Sequence, residues 1–417
     1  MLKKLLFWAK GPIARSSIHT TFIFGFRVLF QAIHIILLAR LLGASQFGVL
    51  AAIMASALLL GKLATMGTQY PLLRAAAKEN ESEEKTLSYA IPTTIFSGLF
   101  IFIIFFTATH YLTSDYNNLG IWPVMAIGLA ELIGAPLITL FAMTQLGKNN
   151  VAASQAIQSA PLGFRVLAIS LIFISPPTNP LMVYAGLYLL APLFVLSTII
   201  YTRPTEIPRP RLWRCPTSGE LRESISFSIM DITSAAPSEI DKAIAPSLIG
   251  AGLSGVYTVA ARTTAALTMP ITALMLSALP RLLRGENENR LLTLTILSAT
   301  AYSIIISLPL WIAAPWVHLL FGPGYAGIEE ILRILCFGVP AMTLRIVSNN
   351  TLLSLSKPAS RTWCEAAGIV FFLGASIPLT LHLKAVGLAT SYMLSQWITA
   401  TAGLLIIIIT IRRKSED

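Results

Sequence analysis

The sequence predicts an all-α polytopic membrane protein with about twelve transmembrane helices in two six-helix bundles. Three observations lead there: long apolar runs divided by turn residues, a one-sided distribution of basic residues, and an internal repeat at a spacing of 207 positions. Composition sets the class. Of 417 residues, 55% are apolar and 12% charged, and mean hydropathy is +0.73, whereas a soluble domain carries about 25% charged residues. An ordinary soluble enzyme is excluded. A hydrocarbon core takes roughly 20 helical residues to cross, so about twelve spans leave only short connectors and no room for a separate catalytic domain.

Apolar runs place helices near 17–42, 47–69, 89–111, 120–144, 151–175, 181–202, 224–249, 254–279, 291–314, 329–355, 361–381 and 387–411. Turn chemistry separates them at Thr113 to Gly120, at Pro176-Pro177-Thr178-Asn179-Pro180 and at Gly322-Pro323-Gly324. The linker 203–223, with Pro204, Pro208, Pro210, Pro216 and five arginines, divides an N-terminal bundle (1–202) from a C-terminal one (224–417).

The net charge of +11 would suggest nucleic acid in a soluble chain, but placement decides otherwise. With the N-terminus inside, inner segments hold 21 of the 30 basic residues and the outer connectors only Lys384. This asymmetry predicts a multi-pass protein with both termini cytoplasmic and no nucleic-acid partner. The linker arginines either hold that loop in the cytoplasm or recruit anionic membrane lipid. The basic start, Met1 to Ser17, lacks a cleavable signal pattern. Cys215, Cys336 and Cys364 are too scattered for disulfides or a metal site.

Shifting the chain by 207 positions sets Leu41, Gly43, Ala44, Gly48 and Val49 against Leu248, Gly250, Ala251, Gly255 and Val256, and Leu72 and Arg74 against Leu279 and Arg281. A duplicated six-helix unit follows. Six being even, the copies share one orientation, as in transporters whose parallel repeats are related by an axis along the membrane normal, with the pathway between them. Gly250, Gly252 and Gly255 satisfy GxGxxG, but no strand precedes them and no acidic residue follows up to Gly285. No dinucleotide, and no other cofactor or metal, is therefore expected.

Eight basic residues lie inside the proposed helices: Arg27, Arg40, Lys62, Arg165, Lys242, Arg262, Arg333 and Arg345. A charge at a helix centre costs about 2.5–3.5 kcal/mol on insertion scales, so these groups should face a wet interior. Thr20, Arg27, Gln31 and His34 share one stripe of the first helix, and Ser224, Ser228, Asp231, Ser238, Asp241 and Lys242 one of the seventh. Arg40, Lys62 and Arg333 lie near span ends, where long side chains reach the interface. Candidate substrate-cavity residues are therefore Arg27, Gln31, His34, Arg165, Lys242, Arg262 and Arg345. The embedded acids Glu131, Asp231, Glu239 and Asp241 either pair with these bases or bind a coupling proton or sodium ion. With Glu329, Glu330 and Glu365 set aside as edge residues, positive charge is in excess, which suits a phosphate-bearing headgroup.

Ala39-Arg40-Leu41-Leu42-Gly43 to Phe47-Gly48, followed by Gly67 and Arg74, resembles the start of Wzx-type polysaccharide or O-antigen flippases. In the second half Asp241-Lys242, Gly255-Val256-Tyr257, Ala261-Arg262 and Pro280-Arg281-Leu282 are similar to the same family. The resemblance implies the multidrug, oligosaccharidyl-lipid and polysaccharide (MOP) exporter fold, with two bundles around a cationic cavity. It implies a substrate of oligosaccharide on polyprenyl pyrophosphate, carried across a bacterial inner membrane toward the periplasm by alternating access. A polysaccharide polymerase and a chain-length protein are the implied partners. Two alternatives remain: an ion-coupled small-molecule or drug exporter of the same superfamily, and a membrane polysaccharide polymerase. The short outer connectors, lacking HExxH or GxSxG, speak against an enzyme.

Overall fold

The computed structural model describes residues 12–77, 82–112, 119–202, 207–275 and 288–416. Most of the turn from Thr113 to Gly120, the triplet Pro280-Arg281-Leu282, the basic residues Lys3, Lys4, Lys10, Lys78 and Arg203, and the side chain of Thr20 lie outside the described residues.

Helix follows helix along the chain. α1 (Pro12–Ala64) is bent at Gly43, and α2 (Gln69–Ala77) follows a turn at Met66 and Gly67. α3 is Glu83–Leu112. α4 (Ile121–Leu129) and α5 (Ala135–Gly147) are joined by one π turn, Ala130–Gly134. α6 is Val151–Ile174, capped by the Asn150 side chain, and α7 is Pro180–Thr202. A 3-10 turn at Pro210–Leu212 leads to α8 (Ser218–Ile249), which Thr217 and Glu220 start as a reciprocal capping box. α9 (Ala251–Ala266), α10 (Glu288–Phe321), α11 (Ile328–Ser354) and α12 (Pro358–Glu416) complete the order.

Among the described residues eight stretches are long and apolar enough to cross a bilayer, including Gly25–Ala64 (40 residues) and Pro358–Arg412 (55 residues). At 1.5 Å per residue the longer one would run about 80 Å, more than twice a hydrocarbon core. Each of the two therefore contains a pair of spans. The breaks are Gly43 (φ 70, ψ 169) and Lys384 (φ 49, ψ −125). α8 is not among the eight, because its serines and carboxylates dilute its apolar character. α10 continues to Phe321, seven residues past the 314 expected from sequence.

The repeat has a structural counterpart. Gly43 and Gly250 stand 207 positions apart and adopt the same backbone, φ 70, ψ 169 and φ 79, ψ 161, a region that only glycine enters without strain.

The chain falls into two compact units. One comprises the described residues up to Leu37 together with Ile53–Ile232; the other comprises Leu38–Ala52 and Thr233–Asp417. In the first, Leu72, Leu87, Ile91, Leu140, Phe141 and Val195 form a buried cluster drawn from α2, α3, α5 and α7. In the second, Leu292, Leu352 and Ile407 pack α10, α11 and α12 together. The tip of α1 is held in the second unit by polar contacts: Arg40 Nε and Nη2 donate to the carbonyls of Leu320 and Leu319 at the end of α10, and the Tyr325 hydroxyl donates to the carbonyl of Ala39. A cation on the last carbonyls of a helix also answers the negative end of its dipole.

Candidate functional site

In the first unit the embedded charges centre on Glu131, which sits in the π turn and is 3% exposed. A π turn adds one residue to a helical turn and re-aims the side chains around it. Here it presents Glu131 to α6 and α7: Arg165 Nη2 lies 2.7 Å from Glu131 Oε1, and the Tyr188 hydroxyl donates to the same oxygen. The guanidinium carbon of Arg165 lies 3.5 Å from the centroid of the Tyr188 ring, so Tyr188 meets the ion pair with both its face and its hydroxyl. A cavity of about 60 Å³, lined by Gly61, Lys62, Thr65, Gln69, Glu131 and Pro136, adjoins the cluster; such a polar pocket has room for water. On its other side Gln69 Nε2 and the Tyr70 hydroxyl donate to the carboxylate of Asp231, Tyr70 at 2.6 Å. The Gln69 Oε1 is buried without a partner.

On α1, His34 is buried, with Nε2 2.6 Å from the Tyr184 hydroxyl. Arg27 and Gln31 are half-buried. Among the described residues Arg27 is paired with no carboxylate, unlike the other deep arginines.

In the second unit Lys242, Arg262 and Arg345 each have a carboxylate neighbour. Lys242 is 2% exposed, and its Nζ donates to the carbonyl of Ser238 at 2.5 Å and to Asp241 Oδ1 at 3.0 Å; the Tyr257 hydroxyl donates to Asp241 Oδ2 at 2.7 Å. Arg262 pairs with Glu239 at 3.2 Å. Arg345 Nη1 lies 3.1 Å from Glu365 Oε2, and Asn349 donates to the other oxygen of Glu365.

Two of the acids set aside as edge residues, Glu365 and Glu329, pair with embedded bases, and one of them, Glu365, is not at an exposed edge. Glu365 is 1% exposed, because the helix it starts is packed against α11. Glu329 pairs with Arg333 at 2.8 Å one turn along the same helix. Five of the eight embedded bases (Arg165, Lys242, Arg262, Arg333 and Arg345) thus have a carboxylate neighbour. Among the described residues, Arg27, Arg40 and Lys62 have no carboxylate neighbour. The polar stripe of the seventh helix is also divided, Asp231 belonging to the first unit and Glu239, Asp241 and Lys242 to the second.

Sequence reasoning missed Gln69, Tyr70, Tyr184, Tyr188, Tyr257 and Asn349. Tyr184 and Tyr188 do carry a signal, lying four residues apart on one face of an apolar helix. Tyr257 is named only within the motif Gly255-Val256-Tyr257, without a role, and Gln69, Tyr70 and Asn349 have no such signal.

The family described as "Polysaccharide biosynthesis protein" matches residues 13–286. No curated protein matches this chain. Among solved structures, an inward-facing multidrug resistance MATE family transporter of the MOP superfamily is similar with a TM-score of 0.75 at 15% identity, covering 96% of this chain and 99% of that one. The lipid II flippase MurJ in an inward closed conformation gives 0.73 at 12% identity, covering 94% and 87%. An outward-facing MATE transporter gives 0.70 at 17% identity, covering 97% and 96%. Likeness at these identities is one of fold alone. The family match spans well over half of the sequence, and with it the chain belongs to the polysaccharide biosynthesis protein family, a multi-pass membrane protein with the fold of the MOP-superfamily structures it resembles.

Proposed function

We propose that the chain is a flippase for oligosaccharide linked to polyprenyl pyrophosphate, moving it from the cytoplasmic to the periplasmic leaflet of a bacterial inner membrane, with both termini cytoplasmic. The observation that carries this reading is Arg27. It lies near the middle of the first expected span, half-buried, on a stripe with Gln31 and His34. A guanidinium at that depth is costly, and among the described residues no carboxylate pairs with it. An anion brought by the substrate would do so, and a planar fork of donors fits phosphate oxygens. The prenyl chain would stay in lipid while the sugar passes through water, avoiding the loss of several kcal/mol for each unpaired hydroxyl in hydrocarbon.

In this reading the carboxylate-bound residues Arg165, Lys242, Arg262 and Arg345 hold helices together and shape the wall rather than meeting the phosphate themselves. Rocking of the two repeats would supply access. No covalent bond is made. A coupling proton or sodium ion would be bound at Glu131, which lines the small cavity, or at Asp231, which receives Gln69 of that lining, with Glu239 and Asp241 as the candidates in the second unit. The product, displayed at the outer face, is what a polysaccharide polymerase and its chain-length partner would consume.

The test is complementation of a strain lacking the gene. Arg27→Ala should abolish surface polymer and accumulate lipid-linked repeat units while protein in the membrane stays at the wild-type level; Arg27→Lys should restore part of the polymer. Normal polymer from Arg27→Ala refutes the role of Arg27. Drug resistance that rises and falls with the gene, with polymer unchanged, would move the assignment to the small-molecule exporters.

A further inference from the structure

A second site lies away from the embedded charges, where the linker after α7 folds back on α3. Met66, Pro92, Thr93, Phe96, Ser97 and Trp213 to Pro216 line a predominantly apolar cleft of about 500 Å³, within the roughly 300–1,000 Å³ typical of ligand pockets. Its linker wall is fixed in place. Arg214 forms two hydrogen bonds with Glu220, at 2.8 and 2.6 Å, its guanidinium lies 4.8 Å from the Tyr89 ring centroid, and its backbone N–H donates to the carbonyl of Ser88 on α3. The Trp213 indole donates to the carbonyl of Pro208.

Two features say what would occupy the cleft. Phe96 is 72% exposed and begins an apolar stripe that continues along α3 through Phe100, Ile103 and Ile104, at the spacing of one helix face. The cleft is therefore the end of a lipid-facing surface, open to an acyl chain lying along that face. Arg209 and Arg211, on the 3-10 turn that leads into Trp213, are exposed, and neither has a carboxylate partner among the described residues, whereas Arg214 is already neutralised. An apolar slot whose linker wall is preceded, within a few residues, by two exposed guanidinium groups is complementary to an acyl chain carrying a phosphate.

We propose that this cleft binds an anionic phospholipid of the leaflet facing the linker, with one acyl chain between α3 and Trp213 and the phosphate at Arg209 and Arg211. The site is separate from Arg27 and does not depend on the substrate proposed above. Binding would dock the linker on the bilayer and order the junction that precedes α8. Arg203, on the same linker, lies outside the described residues and is not part of the site.

Native mass spectrometry of the purified full-length chain, with phosphatidylglycerol, phosphatidylcholine and a polyprenyl phosphate offered in turn and in competition, tests the proposal. Wild type should retain phosphatidylglycerol over phosphatidylcholine. Each of Arg209→Gln and Arg211→Gln should lower that preference roughly five-fold, the equivalent of about 1 kcal/mol per basic residue at an anionic surface. Thr93→Trp, which fills the slot, should reduce retention of both phospholipids. Cys215 lines the cleft and is exposed, while Cys336 and Cys364 are buried. One maleimide per chain therefore reports a folded variant, and phosphatidylglycerol should slow that labelling in wild type but not in Thr93→Trp. Equal retention of the two phospholipids by wild type, an unchanged preference in the double arginine variant, or occupancy by polyprenyl phosphate that phosphatidylglycerol cannot displace would each overturn it.

Discussion

Gly48 and Gly255 lie against one another's turns: a Cβ on Gly48 would overlap the carbonyl oxygen of Ala251 and the amide nitrogen of Gly255, and a Cβ on Gly255 would overlap the carbonyl oxygen of Ala44. The four residues are two equivalent pairs at the 207-residue spacing. Position 48 meets the partner of 44, and position 255 meets the partner of 251. Such reciprocity is what a local two-fold relation produces, each copy offering the same patch to the other, here between the two repeated turns, both in the second unit.

Gly48→Ala and Gly255→Ala should accordingly each destabilise the protein by about 1–3 kcal/mol, the usual cost of overpacking where the obstacle is backbone. Gly374 on α12 has open space around it, and Gly374→Ala should be neutral or stabilising, by up to about 1 kcal/mol from helix propensity. Thermal unfolding of the three purified variants in one detergent checks the contrast. Equal transition temperatures would mean that the turns are not packed as described.

Arg27 and Arg345 are both deep arginines in the sequence, and the structure separates them. Arg345 is held by Glu365, which also receives Asn349. Arg345→Met leaves a buried carboxylate without its cation and should cost about 3–5 kcal/mol, whereas replacing both partners by apolar residues can be neutral. Arg345→Met should therefore reduce the amount of folded protein in the membrane, and the double variant Arg345→Met, Glu365→Leu should restore it. Quantifying monodisperse protein by size-exclusion chromatography reads this directly. A double variant as poor as the single one would sink the pairing as a structural element.

That contrast marks how far the sequence could be read. The helices were legible because twenty-residue apolar runs and proline- or glycine-rich breaks are local properties. The repeated turn was legible because Gly43 and Gly250 are required by one unusual backbone conformation. Pairing was not. Glu365 stands 20 positions from Arg345, and Gln69 and Tyr70 stand more than 160 from Asp231; these neighbours are brought together by helix packing, which leaves no periodic trace. Nor does the π turn at Glu131 have a residue signature. Counting charges along the chain therefore overstated the unmatched positive charge, since two of the acids set aside are partners of the bases.

The linker clamp gives a pH dependence. Hydrogen bonds from Arg214, and then from the Thr217 backbone and hydroxyl, hold the Glu220 carboxyl down at about 2 against an ordinary 4.5. A group depressed on folding contributes its stabilisation in full above its unfolded value and loses it as pH falls through the folded one. The clamp should thus be unchanged from pH 8 to about 5 and released between roughly 4.5 and 2. The rate of thiol exchange at Cys215, with a disulfide reagent active in acid and normalised to a free thiol, reports the release. Glu220→Gln should raise the rate at neutral pH and flatten its acid dependence. An identical profile in wild type and variant would deny Glu220 this role.

Glu131 is the group for which structural and transport roles are hardest to separate, and a pair of variants does so. In Glu131→Gln the amide oxygen still accepts from Tyr188, but Arg165 loses its counter-charge while remaining largely buried. The single variant should be destabilised, as for other broken buried pairs. Adding Arg165→Gln removes the orphaned cation and should recover folding, because two amides can hydrogen-bond where the ion pair stood. If Glu131 serves only to bind α6 to the π turn, the double variant should also recover polymer export. If it carries the coupling ion, export should stay low in the well-folded double variant and no longer respond when the proton or sodium gradient is collapsed. The small cavity beside Glu131, lined also by Gln69 with its buried, unpartnered Oε1, favours the second outcome: a buried carboxylate with a water-sized space next to it has room for an ion that a purely structural pair would not need. Full export and an intact gradient response in the double variant would remove Glu131 from the coupling step.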